Sequence, residues 1–317
     1  MQKRPLGRSG MTIAPLVFGG NVFGWTADEA TSFRLLDAFV DHGFDAIDTA
    51  DVYSSWVPGN KGGESETVIG NWLKARPGAR EKVKIFTKVG SDLGQPGKKG
   101  LSERWILQAA DESLARLGIE TIDLYFSHWP DAAVSQEESL GAYAKLIAAG
   151  KVRAIGVSNV DANQLGEALR ISAEKGLPRY EVLQPEYNLY ARSTFEGALQ
   201  QLCVAEDIGV VTYFSLASGF LTGKYRSEAD FGKSPRGGGM GDYFNDRGRA
   251  VLAALDGVAA SHNATPAAVA LAWLMAQPGV TAPIASATRL DQFEGLARAA
   301  ELVLSPEDLA RLDQSGR

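Results

Sequence analysis

Val83-Lys84-Ile85-Phe86-Thr87-Lys88-Val89 is a short apolar run rich in β-branched and aromatic residues, and Leu124-Tyr125-Phe126-Ser127-His128 is another. Between them, residues 102–117 carry apolar side chains at helical spacing, opening on Ser102 and closing before Gly118. Strand, helix, strand in that order predicts a parallel pair joined by a crossover helix. The same unit recurs in both directions. Strands are expected at 16–19, 46–48, 83–89, 124–128, 154–158, 181–184, 209–214 and 281–286, with helices at 30–42, 64–75, 102–117, 135–149, 162–175, 195–206 and 266–276. Eight such units without a linker or composition break predict one α/β domain over 1–317, a (β/α)8 TIM barrel. An open doubly wound sheet is the alternative. Against it, Gly19-Gly20-Asn21-Val22-Phe23-Gly24 has the wrong glycine spacing for a dinucleotide-binding G-x-G-x-x-G. Residues 3–15, turning at Gly7-Arg8-Ser9-Gly10, predict a short β-hairpin ahead of the barrel. Thr265-Pro266 caps a helix start, and Ser305-Pro306-Glu307-Asp308 resembles a capping box opening an additional C-terminal helix. The long irregular stretch 215–246, containing Arg236-Gly237-Gly238-Gly239, follows the seventh strand and is expected to be a lid or disordered.

Composition narrows the function classes. The 317 residues are 45% hydrophobic and 22% charged, with a net charge of -6 that offers nothing to nucleic acid or to an anionic membrane surface. One cysteine, Cys203, cannot form an internal disulfide, and with three histidines leaves little material for zinc, so no metal is expected. The start, Met1-Gln2-Lys3-Arg4-Pro5-Leu6-Gly7, is not built as a signal peptide, and no apolar run reaches the roughly twenty residues that span a bilayer. A cytoplasmic protein is expected.

In a parallel barrel the reactive groups collect at the C-terminal ends of the strands. There the chain places Asp48, Tyr53 five residues on, Lys88 and His128. These types suit acid catalysis by a phenol: Lys88 near Tyr53 would lower a pKa that is ordinarily about 10, and Asp48 would hold Lys88 charged and oriented. Lys88 could instead form a Schiff base, as in class I aldolases, and His128 could be a core histidine beside Trp129. His42 and His262 lie in or next to helices, where a structural or exposed role is expected; Cys203 is expected as a core residue, and Glu307, Asp308, Arg311 and Asp313 as a solvated helix face. Trp25, Trp56 and Trp129 follow strand ends and are candidates for an aromatic substrate pocket or for loop packing.

Six runs taken together resemble the aldo-keto reductase superfamily. They are Asp48-Thr49-Ala50-Asp51-Val52-Tyr53, Ile85-Phe86-Thr87-Lys88-Val89, Tyr125-Phe126-Ser127-His128-Trp129-Pro130, Gly156-Val157-Ser158-Asn159, Gln184-Pro185-Glu186-Tyr187-Asn188 and Gly219-Phe220-Leu221-Thr222-Gly223-Lys224-Tyr225. The resemblance, which runs from the hairpin to the last helix, implies a catalytic tetrad of Asp48, Tyr53, Lys88 and His128. In the family's chemistry a nicotinamide gives hydride from its 4-pro-R face to a carbonyl carbon, Tyr53 protonates the oxygen, and His128 orients the carbonyl. Histidine at 128, where double-bond reductases of the family carry Glu, implies carbonyl reduction. Ser158, Asn159 and Gln184 are implied to bond the carboxamide and Tyr213 to stack on the ring. The segment with Ser215, Leu216, Gly219, Leu221 and Lys224 is implied to cover the pyrophosphate, so 215–246 becomes the candidate cofactor-covering loop. Ser286, Thr288, Arg289 and Gln292 match the adenosine segment, and Arg289 facing a 2′-phosphate implies NADPH/NADP+, with NADH less favoured. Here the chain departs from the family: Ala285-Ser286 replaces Pro-Gly, and Gly295-Leu296 replaces Glu-Asn, which alters the adenine contacts. A chain closing at Arg317 implies a shorter-walled, more open pocket than in steroid-handling members. The implied partner is a small-molecule carbonyl compound, an aldehyde, ketone or open-chain sugar; the oligomeric state is left open. Two further readings share the barrel: an NADP-binding regulatory or structural subunit, as in potassium-channel β-subunits and lens crystallins, and an NADP+-dependent sugar or polyol dehydrogenase.

Overall fold

The computed structural model describes residues 1–316. Eight parallel strands, β3 (Val17–Gly19), β4 (Ala46–Asp48), β5 (Lys84–Val89), β6 (Ile122–Ser127), β7 (Val152–Ser158), β8 (Tyr180–Gln184), β9 (Gly209–Thr212) and β10 (Val280–Ala285), close into a barrel with β10 beside β3. The doubly wound alternative is thereby excluded. Alternation along each strand decides what faces where. Ala46, Phe86, Leu124, Phe126, Ala154, Val182, Val211 and Ala282 form an apolar plug inside the barrel, while Ile47, Ile85, Tyr125, Ile155, Leu183 and Val210 belong to the larger core under the helices. Two residues further along the inward row the chemistry changes, from Ala46 to Asp48, Phe86 to Lys88 and Val182 to Gln184. The pleat thus turns a period-two pattern into a barrel that is dry at its base and polar at its rim.

The hairpin strands β1 (Arg4–Pro5) and β2 (Thr12–Ile13) pair antiparallel and close the base. Leu6, Met11 and Ile13 join the apolar plug. Gly7 has φ 55°, and a Cβ there would stand 2.3 Å from the Glu181 carbonyl oxygen and 2.7 Å from the Gly209 nitrogen, so the turn wedges against the feet of β8 and β9 where only glycine fits.

Ten helices surround the barrel among the described residues: α1 (Glu29–Asp41), α2 (Glu64–Ala75), α3 (Glu103–Leu117), α4 (Gln136–Ala148), α5 (Ala162–Lys175), α6 (Ala198–Ala205), α7 (Asp246–Ser261), α8 (Pro266–Met275), α9 (Leu290–Ala297) and α10 (Pro306–Ser315). Side-chain caps set many of their starts: Ser102, Ser135, Asp161, Thr265 and Ser305 each accept from a first-turn amide. Three expectations need correction. The sixth helix opens at Ala198, not 195, because Gly197 at φ 93° breaks the turn before it. The strand expected over 209–214 stops at Thr212, with Tyr213 in an isolated bridge to Glu186 and Phe214 at φ 51°. And α7 and α9 lie outside the expected set of helices; α7 is capped by Asn245, and its row of Val251, Leu252, Leu255 and Val258 is buried. The stretch 215–246 is packed, burying Phe220, Leu221, Tyr225 and Met240, with Phe220 stacked on Tyr243 at 4.9 Å. Among the described residues no helix is long and apolar enough to cross a membrane.

Candidate active site

At the polar rim, neighbouring strands bring Asp48 and Lys88 together by register, since β4 and β5 pair Asp48 with Phe86. The Lys88 ammonium is wholly buried and donates to Asp48 Oδ2 at 2.7 Å, the Thr49 carbonyl at 2.8 Å and the Tyr53 hydroxyl at 2.8 Å. An ammonium has three protons, and all three are engaged. Tyr53 therefore accepts from Lys88 and keeps its own O–H, which points toward Asp48 Oδ2 at 3.2 Å or outward. The sequence expectation of a lowered Tyr53 pKa is corrected. Burial, followed by the adjacent Asp48 carboxylate, pushes the phenol well above 10.0. Lys88 cannot reverse this because Asp48 already neutralises it. Burial also pulls the Lys88 pKa below its ordinary value, with Asp48 opposing the fall.

His128 follows β6, held by its amide bond to the Val89 carbonyl. Its ring lies 6.1 Å from the Tyr53 ring and stacks at 6.0 Å on Trp129. Burial, then the Lys88 charge, drives its pKa well below 6.5, so the ring is neutral. Ser91, a buried serine on the loop after β5 with no motif to flag it, sets its hydroxyl 3.0 Å from His128 Nδ1. Trp25 packs edge-on against Trp56 at 5.6 Å, and Trp56 against Tyr53 at 6.2 Å. Trp56 and Trp129 are 48% and 50% exposed, so two indoles rim the mouth rather than filling a core. His42 is bonded to Glu294 and His262 to Asp308, both away from the rim.

On the opposite wall, Tyr213 donates to Asn159 Oδ1 at 2.6 Å, Asn159 Nδ2 donates to Ser158 Oγ at 3.1 Å, and Ser158 Oγ donates to the Gln184 carbonyl at 2.7 Å. Gln184 Nε2 in turn donates to Asp48 Oδ1 at 2.9 Å, joining this wall to the Asp48–Lys88–Tyr53 cluster. Among the described residues, no three His, Cys, Asp or Glu side chains converge as a metal site.

The Aldo/keto reductase family pattern matches residues 15–317 of this chain. The chain belongs to the aldo/keto reductase family. Among its relatives, protein Tas of Escherichia coli is 32% identical over 99% of this chain and 97% of that protein. The uncharacterized oxidoreductase YrpG of Bacillus subtilis is 32% identical over 99% of this chain and 95% of its own length. A probable voltage-gated potassium channel subunit beta of Arabidopsis thaliana is 31% identical over 99% of this chain and 96% of its own length. The family is one of oxidoreductases that generally use NAD(P)H, although some relatives carry the channel-subunit name.

The remaining segments flagged by resemblance to aldo/keto reductases lie beside that wall. Ala217, Ser218 and Gly219 take φ 47°, 55° and 101° in succession, a backbone that non-glycine residues adopt at a cost and that is typical of functional loops. A Cβ on Gly219 would sit 3.4 Å from Lys224 Nζ, so glycine keeps open a cradle beside that ammonium. Ser215 turns inward to the Thr212 carbonyl at 2.8 Å, and Leu221 is buried, which leaves backbone rather than these side chains facing the mouth; Leu216 accepts the Gly219 amide. After β10, Ser286 donates to Asn21 at 2.6 Å and Gln292 accepts from both Thr288 groups at 3.0 and 3.1 Å. Arg289 is held bidentately by Asp291, at 2.9 and 2.8 Å, on the surface. The guanidinium implied to meet a 2′-phosphate is paired with a surface carboxylate in this structure.

Proposed function

We propose that this chain reduces aldehydes or ketones to alcohols with NADPH, using Tyr53 as the general acid. The observation that carries the reading is the Lys88 ammonium saturated by Asp48, Thr49 and the Tyr53 oxygen, which leaves the phenolic proton as the one available to a carbonyl. NADPH, when bound, supplies the hydride that converts the carbonyl carbon. The residues present suit it: the Gly219 cradle beside Lys224 offers backbone and a cation to phosphate, and in the Ser158–Asn159–Gln184 wall Gln184 keeps its side-chain oxygen and one N–H for an amide.

Tyr53 holds its proton at neutral pH and releases it only to an oxygen on which negative charge develops. The phenolate so formed faces the Lys88 ammonium 2.8 Å away, which stabilises it. In this reading the Ser91 hydroxyl, 3.0 Å from Nδ1, serves as donor to it, which would keep the His128 proton on Nε2 to hold the carbonyl oxygen beside Tyr53. Because Arg289 must exchange Asp291 for a 2′-phosphate, the preference for NADPH over NADH is smaller than a free guanidinium would give.

The test is Tyr53→Phe. Turnover should fall roughly a hundredfold to ten-thousandfold, the range for one general acid, while tryptophan fluorescence still reports NADPH binding. Full activity in Tyr53→Phe would overturn the reading. The relatives named as channel subunits favour a second reading, an NADP-binding regulatory or structural subunit. It predicts NADPH binding with negligible turnover across aldehydes, ketones and sugars, and co-purification with a membrane partner. The reverse reaction, oxidation of a sugar or polyol with NADP+, uses the same residues and is favoured by excess NADP+.

A further inference from the structure

We infer that the carbonyl substrate is anionic and that Arg236 is the side chain that recognises its carboxylate or phosphate. This names the substrate class for the reductase reading above and rests on it. Arg236 comes from the long loop after β9 and is half-buried at the mouth. Its guanidinium carbon stands 5.3 Å over the Trp25 ring, and Trp25, Trp56 and Tyr53 follow edge to edge from there. It is close enough to Tyr53 for the two to influence each other's ionisation. Among the described residues no carboxylate or carbonyl accepts from this guanidinium. That contrasts with its neighbours on the loop: Arg226 grips Asp256 bidentately at 2.7 and 2.7 Å, and Lys233 pairs with Asp230 at 2.8 Å.

A partly buried cation without a counter-ion is destabilising, and burial accordingly depresses its pKa. Stacking on an indole recovers part of that cost, on the order of 1 kcal/mol. An oxyanion brought in by a ligand would recover more, because the guanidinium fork matches carboxylate and phosphate geometry. Position favours the substrate as the source of that anion. Arg236 stacks on Trp25 and lies near Tyr53, the proton donor to the carbonyl; the candidate cofactor residues Ser286, Thr288, Arg289 and Gln292 follow β10, which also borders β3, so the NADPH Kd is measured beside the substrate preference. The other cation without an acidic partner on this loop, Lys224, stands beside the Gly219 cradle and can serve a cofactor phosphate. Arg236 also borders a cavity of about 550 Å³ lined by Tyr190, Met240, Tyr243 and the carboxylates Glu186 and Asp242, neither of which pairs with the guanidinium.

The experiment compares succinic semialdehyde with butanal, an acid and a neutral aldehyde of equal chain length, in wild type, Arg236→Gln and Arg236→Lys, and measures the NADPH Kd of each. Wild type should favour the anionic aldehyde in kcat/KM, and Arg236→Gln should reduce that ratio by about 10- to 100-fold, with Arg236→Lys between them. Equal kcat/KM for the two aldehydes in wild type would overturn the proposal. So would a weakened NADPH Kd in Arg236→Gln with the ratio unchanged, because the guanidinium would then serve a cofactor phosphate. If neither aldehyde is turned over, the reductase reading fails separately, and calorimetric titration with succinate decides the anion site. Binding lost in Arg236→Gln would uphold it; equal or absent binding would end it.

Discussion

His128 shows how far a single side chain is governed by its surroundings. Burial and the Lys88 ammonium hold its pKa well below 6.5, so the folded site excludes a proton that the unfolded chain takes up near that value. This contribution to stability is therefore complete above about pH 6.5 and is lost as pH falls toward the depressed folded value. His128→Gln keeps a polar side chain and removes the titration. Its Tm should fall less than that of wild type between pH 7 and about pH 5.5, and parallel losses would show that the ring is protonated freely in the folded state. The four residue types of the cluster, Asp48, Tyr53, Lys88 and His128, are legible in the sequence because strand ends of a parallel barrel are where chemistry gathers. The proton inventory is not. It depends on Lys88 having three acceptors within 2.8 Å, one of which is a backbone carbonyl that no motif advertises.

At the scale of elements, α2 and α3 show why a propensity argument alone would mislead. Gly70 lies inside α2, where alanine ordinarily gains up to about 1 kcal/mol of helix stability. Here a Cβ would stand 2.3 Å from the Arg116 carbonyl oxygen and 2.9 Å from the Leu117 carbonyl carbon, all backbone atoms of α3. Separating the helices would strain the buried polar link beside them, in which Glu66 accepts from Thr87 at 2.5 Å and Arg116 at 2.7 Å. Overpacking costs typically 1–3 kcal/mol, roughly, and outweighs the propensity gain. Gly70→Ala should therefore lower Tm by a few degrees in a thermal melt, and a raised Tm would mean that the pair parts without penalty. Helices α2 and α5 are legible to the residue, α5 through its Asp161 cap and both through regular apolar spacing. Helices α7 and α9 are not: α7 follows a long loop with no strand directly before it, and α9, although it follows β10 across a short loop, is only two turns long.

For the whole molecule, base and rim are separable. The hairpin seals the base with Leu6, Met11 and Ile13, all buried, whereas Tyr53 is bonded to Asp48 and Lys88 at the rim. Ile13→Ala should cost about 2–5 kcal/mol through the cavity it leaves, visible as a lowered Tm with kcat intact; a matching loss of kcat would mean that strain at the base reaches the rim. The sequence by itself determined the eight-unit barrel, the polar row at the strand ends and the family, because period-two and period-3.6 patterns and ordered motifs are local properties of the chain. Only the tertiary structure decided that Tyr53 keeps its proton, that Ser91 meets His128, that Arg289 is occupied by Asp291 and that Arg236 reaches Trp25 without a counter-ion. Each of these is a meeting of loops from different strands, or a balance between burial and a neighbouring charge. Such contacts are fixed by how the barrel closes, which no single stretch of sequence encodes.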